Sequence, residues 1–229
     1  MSTKMDAASP KTTSEIFCSP DVDMVFLSSD HVTFRLRTIH IISNSSILND
    51  VAVRSSEVIH LPEAADVLEV LFQFIEPPNA TRRNRQPSVL NMEINLFFGV
   101  AEAAGEYSVY AAMNTCLTHM AMPIVSAYPF QVLNHCAKYG YVDLADEAAE
   151  KNLSHSFETA VQKLTASNVL QKWMIYYGKW RKAARESAAI FEETHSLKSP
   201  TASDYNRHGS LLVRLYSTVF HIDMLQQQM

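Results

Sequence analysis

The first part of the chain carries short apolar runs separated by turn residues, a pattern that predicts β-strands. Residues 24–27 are apolar and partly β-branched, and residues 28–30 follow them with the composition of a turn. Val32, Phe34 and Leu36 then alternate with polar residues at a period of two. Together, the two runs predict a β-hairpin with one buried face.

The next segments predict a third strand and a buried helix. Residues 38–48 indicate a short helix followed by a capped turn, and residues 58–61 indicate a short strand that ends at Pro62, because proline cannot continue a ladder of backbone hydrogen bonds. Residues 63–75 have the helical period, with apolar side chains at most positions around the helix. We therefore expect this helix to be deeply buried.

From residue 89 onward the helical period dominates. Helices are predicted over residues 90–104, 108–120, 130–139 with a hinge at Gly140, 143–151, and 167–193. The last of these carries an apolar and aromatic stripe that needs a packing partner: Val169, Trp173, Tyr176, Trp180, Ala184, Ser187 and Phe191. Strands followed by helices alone indicate an α+β protein with a helical C-terminal part.

The segments divide into five predicted regions. Residues 1–15 are rich in Ser, Thr and Lys and cannot bury enough apolar surface to offset the entropy of ordering, so they predict a flexible arm. The other regions are a domain over residues 16–122, a helical extension over 123–195, a linker over 196–208 and a C-terminal amphipathic helix over 209–229.

The order of these segments resembles the BTB/POZ family. Residues 104–116, Ala-Gly-Glu-Tyr-Ser-Val-Tyr-Ala-Ala-Met-Asn-Thr-Cys, are similar to a helix pair of that family, and the hairpin, third strand and buried helix lie where the family has them. Lys-Tyr-Gly-Tyr at 138–141 and the tryptophan-containing segment 173–181 resemble the BTB proteins expanded in mushroom-forming fungi. The resemblance implies a BTB/POZ-like small sheet flanked by a helical cluster, followed by an all-helical C-terminal extension. One departure is Arg37, where the family usually has histidine.

The resemblance also implies a function. BTB domains are non-catalytic interaction modules that act as scaffolds, transcriptional co-regulators or substrate adaptors, and these roles stay open here. The expected partners are other proteins: a second copy in a homodimer, another BTB protein in a heterodimer, a cullin-type ligase or a transcription partner. The expected interaction surface comprises Ile16, Phe17, Ile39, Ile41, Ile42, Leu48, Trp173, Tyr177, Trp180 and Arg181.

Charge and composition argue against several other classes of protein. The net charge of −5 at pH 7 gives no overall basic field to attract nucleic acid, so nucleic acid is not an expected partner of the whole chain. Three scattered cysteines do not form a disulfide framework. The sequence shows no signal peptide, and its densest apolar run, residues 67–75, is too short to span a bilayer and is interrupted by Glu69 and Gln73. We expect a location in the cytoplasm or nucleus.

No catalytic residue, cofactor, metal or small-molecule substrate is expected. Only five glycines occur, none in the first 98 residues, so a phosphate-binding loop is excluded, and no Gly-x-Ser-x-Gly elbow is present. Four side chains could in principle bind zinc: Cys116, His119, His135 and Cys136. They lack the paired Cys-x-x-Cys spacing of structural zinc sites. Buried thiols and surface or capped histidines are the favoured interpretation, and a small hydrolase or metal enzyme is the least favoured alternative.

Basic residues suggest a different alternative. Residues 167–185 contain five basic residues and no acidic one, interleaved with aromatic residues, a composition that suits a membrane surface or an RNA strand. Packing of the aromatic residues with the cations in solvent is favoured over that hypothesis. A smaller cluster at Arg82, Arg83 and Arg85 is expected to lie in a solvated loop, with contact to an acidic partner as the alternative.

Overall fold

The computed structural model describes residues 12–20, 22–48, 50, 58–76 and 86–196, and side chains of the last helix up to residue 189 and at 192. The chain forms two compact units, Met1–Ala121 and Met122–Met229. Most of the predicted arm, the arginine cluster of residues 82–85, nearly all of the predicted linker and the C-terminal helix lie outside the described residues.

Within the described residues, four strands form one sheet in the first unit. They are β1 (Thr12–Thr13), β2 (Met24–Leu27), β3 (Val32–Leu36) and β4 (Ile59–His60), in the spatial order β1-β3-β2-β4. The strands β2 and β3 are antiparallel, with Phe26 opposite Phe34, which confirms the predicted hairpin. The pairs β1–β3 and β2–β4 are parallel.

Strand β1 begins inside the segment that the sequence predicts to be a flexible arm. Thr12 and Thr13 pair with Val32 and Thr33, and the backbone N–H of Ser14 donates to the Thr33 carbonyl at 2.9 Å. Both threonine side chains are exposed, so the strand is held by backbone hydrogen bonds and not by burial. A two-residue strand of this kind leaves no apolar pattern, and the ordered sheet starts earlier than predicted.

The helices of this unit include α1 (Thr38–Asn44), α2 (Ala65–Ile75), α3 (Ile94–Glu106) and α4 (Tyr110–His119), and residues 46–48 are also helical. A π-helical turn, Met120–Ile124, follows α4 where the two units join along the chain. Phe72 of α2 is fully buried, with its ring centroid 5.2 Å from that of Phe26 and 5.3 Å from that of Phe34. The deeply buried helix predicted over residues 63–75 is therefore confirmed.

The described part of the second unit is helical. It contains α5 (Val125–Ala127), α6 (Pro129–Tyr139), α7 (Val142–Lys151), a 3₁₀ turn (Asn152–Ser154), α8 (Phe157–Lys163) and α9 (Ser167–Ser196). Gly140 ends α6 with a φ of 78°, in the left-handed region that glycine adopts at little cost, and the chain turns there into α7. The predicted hinge at Gly140 is confirmed.

The aromatic stripe of α9 finds its partners within the second unit. The fully buried Trp173 ring lies 6.4 Å from the Phe130 ring and 6.4 Å from the Phe157 ring, and it stacks on Tyr177 at 4.8 Å. Such aromatic pairs add to the stabilisation from buried area. The observed architecture is mixed α+β, with a small sheet followed by helices.

Candidate interaction site

Helix α1 is fixed at its first turn by two acidic side chains from other elements. A carboxylate oxygen of Asp23, just before β2, accepts the backbone N–H of Thr38 at 2.8 Å, and this hydrogen bond is the main reason why the pKa of Asp23 is lowered. Glu76 accepts both the backbone N–H of Arg37 at 2.9 Å and its Nε–H at 2.8 Å. These acceptors satisfy backbone donors that a helix start otherwise leaves unpaired.

Hydrogen bonds to other elements also fix the C-terminal end of α1. The Asn44 side-chain amide donates to the Ile75 carbonyl at 3.2 Å, and the Ser45 hydroxyl donates to the Tyr107 carbonyl at 2.6 Å. Ser45 also forms an isolated antiparallel bridge with Val109. A seven-residue helix is marginal on its own, so these contacts and the burial of Ile41 determine where α1 lies.

The outer side of this fixed helix is apolar. Ile39 is 65% exposed and Ile42, three residues later on the same face, is 52% exposed. A shallow groove of about 470 Å³ lies beside Ile39 and is lined by Pro20, Val22, Asp23, Arg37 and Ile39. We call Ile39, Ile42 and this groove the α1 face.

Part of the predicted interaction surface lies in the core of the first unit instead. Phe17, Ile41 and Leu48 are buried, and Ile16 is half-buried. The Phe17 ring packs 6.0 Å from the Phe72 ring. A side chain with no accessible surface cannot contact a partner directly, so the predicted surface in this unit narrows to Ile39 and Ile42, with Ile16 contributing in part.

Several exposed apolar residues of the first unit were not among the predicted surface residues. Tyr110 is 55% exposed and Ile47 is 40% exposed, and the Tyr110 hydroxyl lies 3.3 Å from the hydroxyl of Ser46, the neighbour of Ile47. The sequence gives little signal for Tyr110, because it opens helix α4 within a generally apolar segment.

The second predicted group, on α9, also divides between core and surface. Trp173 is fully buried, Tyr177 and Trp180 are half-buried, and Arg181 is exposed. The rings of Tyr177 and Trp180 stack at 6.0 Å, and the Arg181 guanidinium lies 5.8 Å from the centre of the Tyr177 ring. The Trp173 indole is therefore part of the core, whereas the Arg181 guanidinium is accessible to solvent.

The residues considered for metal binding do not come together as one cluster in either unit. Cys116 and His119 belong to the first unit, whereas His135 and Cys136 belong to the second. No group of three or more His, Cys, Asp or Glu side chains suited to a metal ion occurs among the described residues.

The environments of these side chains are those of packed residues. Burial raises the pKa of both the Cys116 and Cys136 thiols to about 12, which keeps them protonated and poorly nucleophilic at neutral pH. The His119 ring packs 5.2 Å from the ring of Phe97, and the His135 ring packs 4.7 Å from that of Tyr139. The prediction of buried thiols is confirmed, whereas the prediction of a surface or capped histidine is wrong for His135, which is buried.

Comparison with known proteins gives no family assignment. Over the part of the chain that the structure describes, no helix has the length and apolar character needed to cross a membrane. The sequence matches no protein-family model, and no curated protein matches it.

Proposed function

We propose that this protein is a non-catalytic protein-interaction module of the BTB/POZ type and that it self-associates through the α1 face. The observation that carries the proposal is the exposure of Ile39 and Ile42 on a helix that is fixed at both ends. A rigid helix presents its apolar side chains in one arrangement, so little conformational entropy is lost when a partner covers them.

A symmetric contact suits this face. In a two-fold dimer the same patch is used by both copies, so four isoleucines meet. Burying their exposed apolar surface stabilises the dimer by roughly 4 to 7 kcal/mol, whereas the loss of translational and rotational freedom on association costs about 4 to 15 kcal/mol. The isoleucines are therefore necessary anchors, and the neighbouring groove with Asp23 and Arg37 supplies the remaining contact and the polar rim.

The BTB/POZ part of the proposal is supported by the order of elements together with the sequence resemblance. A hairpin, a parallel third strand and the buried helix α2 occur in the order in which that family has them. The family implies three downstream roles, namely scaffolding, transcriptional co-regulation and recruitment of substrates to a cullin ligase. The cytoplasm and the nucleus are the compartments in which these roles are carried out.

The non-catalytic part is supported by the chemistry of the potential nucleophiles. Burial raises the pKa of the Cys116 and Cys136 thiols, and the exposed thiol of Cys18 lies 3.4 Å from the Glu15 carbonyl.

The direct test is the molar mass of the full chain by size-exclusion chromatography with light scattering, over a range of concentrations. We expect the wild-type chain to form dimers and the double variant Ile39→Glu, Ile42→Glu to be monomeric, because four carboxylates would be placed in a desolvated contact. Leu90→Glu is the matched control, since Leu90 is 69% exposed in the same unit but lies outside the α1 face.

Two results would contradict the proposal. One is a wild-type chain that remains monomeric at every concentration. The other is a dimer that persists in the double isoleucine variant, or that Leu90→Glu disrupts to the same extent.

A further inference from the structure

Helix α9 has a solvent-facing side whose composition is unlike that of an ordinary exposed helix. Met174 is 43% exposed and Ile175 is 52% exposed, next to each other in the first third of the helix. Gly178 follows one turn later, and a side chain added there would meet nothing within 4 Å. The cations Lys179, Lys182 and Arg185 are exposed on or beside the same side. We call these six residues the outer face of α9.

The charge on this helix is of one sign over a long stretch. Residues 167–185 contain five basic residues and no acidic one, although the whole chain carries −5. Lys182 lies 3.9 Å from Glu186, but both side chains are well exposed, at 79% and 47%, and an exposed pair of this type neutralises little of the surface potential. The outer face therefore complements a negatively charged surface.

The opposite side of α9 decides which kind of anionic partner fits. Trp173 and Tyr176 are buried in the second unit, and the half-buried rings of Tyr177 and Trp180 stack on each other, so these aromatic side chains are poorly placed to stack on the bases of a single-stranded nucleic acid. The exposed side chains among the cations are Met174 and Ile175, which gain nothing from a phosphate backbone but gain from entering the boundary between lipid headgroups and acyl chains.

We propose that the outer face of α9 docks on an anionic membrane surface, with its cations on the headgroups and Met174 and Ile175 inserted between them. Each Lys or Arg near such a surface strengthens binding roughly fivefold, so several cations on one face give a measurable affinity without a spanning segment. This docking does not depend on the α1 face, and the dimerisation test and the vesicle test are separate.

The experiment is co-sedimentation of the full chain with two kinds of vesicle, one of phosphatidylcholine alone and one of phosphatidylcholine and phosphatidylserine in a two-to-one ratio. We expect binding only to the vesicles that contain phosphatidylserine, and we expect added salt to weaken it. The variant Lys179→Glu, Lys182→Glu should bind at least about twentyfold more weakly. Arg181 is left unchanged because its guanidinium lies over the Tyr177 ring.

A charge-matched control is available in the same unit. The variant Lys151→Glu, Lys163→Glu changes the net charge by the same amount on α7 and α8, at two exposed positions outside α9, and should bind as the wild type does. The neutral pair Lys179→Gln, Lys182→Gln should give an intermediate loss. Far-UV circular dichroism of each variant verifies that the helices persist.

A second pair of variants tests the apolar contribution. Replacing Met174 and Ile175 by serine should weaken vesicle binding by about tenfold or more, because their insertion is lost. Val161→Ser is the control, since Val161 is 46% exposed on α8.

Three outcomes would overturn the proposal. The first is a folded wild-type chain that does not bind vesicles containing phosphatidylserine. The second is an equal loss of vesicle binding in the test and control lysine variants. The third is a chain that binds a single-stranded oligothymidylate but not vesicles, with an affinity that does not change when Met174 and Ile175 are replaced.

Discussion

The Tyr107 hydroxyl donates a hydrogen bond to a carboxylate oxygen of Glu63 at 2.7 Å. Tyr107 caps the end of α3 and is 8% exposed, while Glu63 lies just before α2, so one hydrogen bond ties the ends of two core helices together. Burial and the neighbouring carboxylate raise the pKa of Tyr107 well above its ordinary value.

Tyr107→Phe should therefore destabilise the first unit. The change leaves the ring in place but removes the donor to a partly buried carboxylate, and a hydrogen bond to a charged group contributes about 1.5 to 3 kcal/mol. Urea unfolding of the full chain measures the difference. Glu63→Gln keeps an acceptor for the hydroxyl and should cost less; an equal or larger loss in that variant would contradict the assigned role of the hydroxyl.

Two glycines in helices should respond to alanine in opposite directions. At Gly99 in α3 an added Cβ would lie 3.0 Å from a methyl group of Val67, so Gly99→Ala should destabilise the packing between α2 and α3. At Gly178 in α9 nothing lies within 4 Å, so Gly178→Ala should raise the free energy of unfolding by up to about 1 kcal/mol through helix propensity.

The same unfolding measurement provides a check on the Gly99 prediction. Val67→Ala removes the methyl groups that the new Cβ would meet, so the double variant should lose less than the two single variants together. Strictly additive losses would show that the Gly99 effect has another cause.

The cap on α1 should make association sensitive to acid. Hydrogen bonding to the Thr38 N–H lowers the pKa of Asp23 in the folded chain, so its contribution to stability is present above the unfolded pKa of about 3.8 and is lost as pH falls through the lower folded value. Asp23→Ala should loosen α1 and weaken the proposed dimer at neutral pH, as followed by light scattering.

Asp23→Asn separates charge from hydrogen bonding. It keeps an oxygen acceptor for Thr38, so it should retain most of the association at neutral pH while losing the acid dependence that Asp23 contributes. If the alanine variant dimerises as tightly as the wild type, α1 does not need this cap.

The folded chain should become less stable at alkaline pH. Burial raises the pKa of Cys116 and Cys136 from 9.0 to about 12, and that of Tyr176 from 10.0 to about 12. Between those values the unfolded chain has lost protons that the folded chain still holds, so the free energy of unfolding decreases as pH rises from about 9. Cys136→Ala should make this decline shallower, and an unchanged slope in urea titrations would count against buried-thiol linkage.

The sequence predicts most of the elements because their apolar residues follow clear periods. The hairpin of β2 and β3 and the long helix α9 are examples, with α9 observed over Ser167–Ser196 against a prediction of 167–193. Strand β1 was not predicted, because two exposed threonines held by backbone hydrogen bonds produce no hydrophobic period in the sequence.

For a related reason, the sequence predicted less well which residues of the expected interaction surface are exposed. Ile39, Ile41 and Ile42 are chemically alike, and only the direction from which α2 approaches α1 decides that Ile41 is buried while the other two are exposed. Phe17 precedes the predicted hairpin and belongs to no repeating pattern, so its place beside Phe72 depends on the fold as a whole.

Both outer strands of the small sheet, β1 and β4, are only two residues long. Each offers a foreign strand very few free backbone donors and acceptors, which discourages extension of the sheet from molecule to molecule. We therefore expect this sheet not to promote fibrous aggregation through its edges, even where the helical faces proposed above bring molecules together.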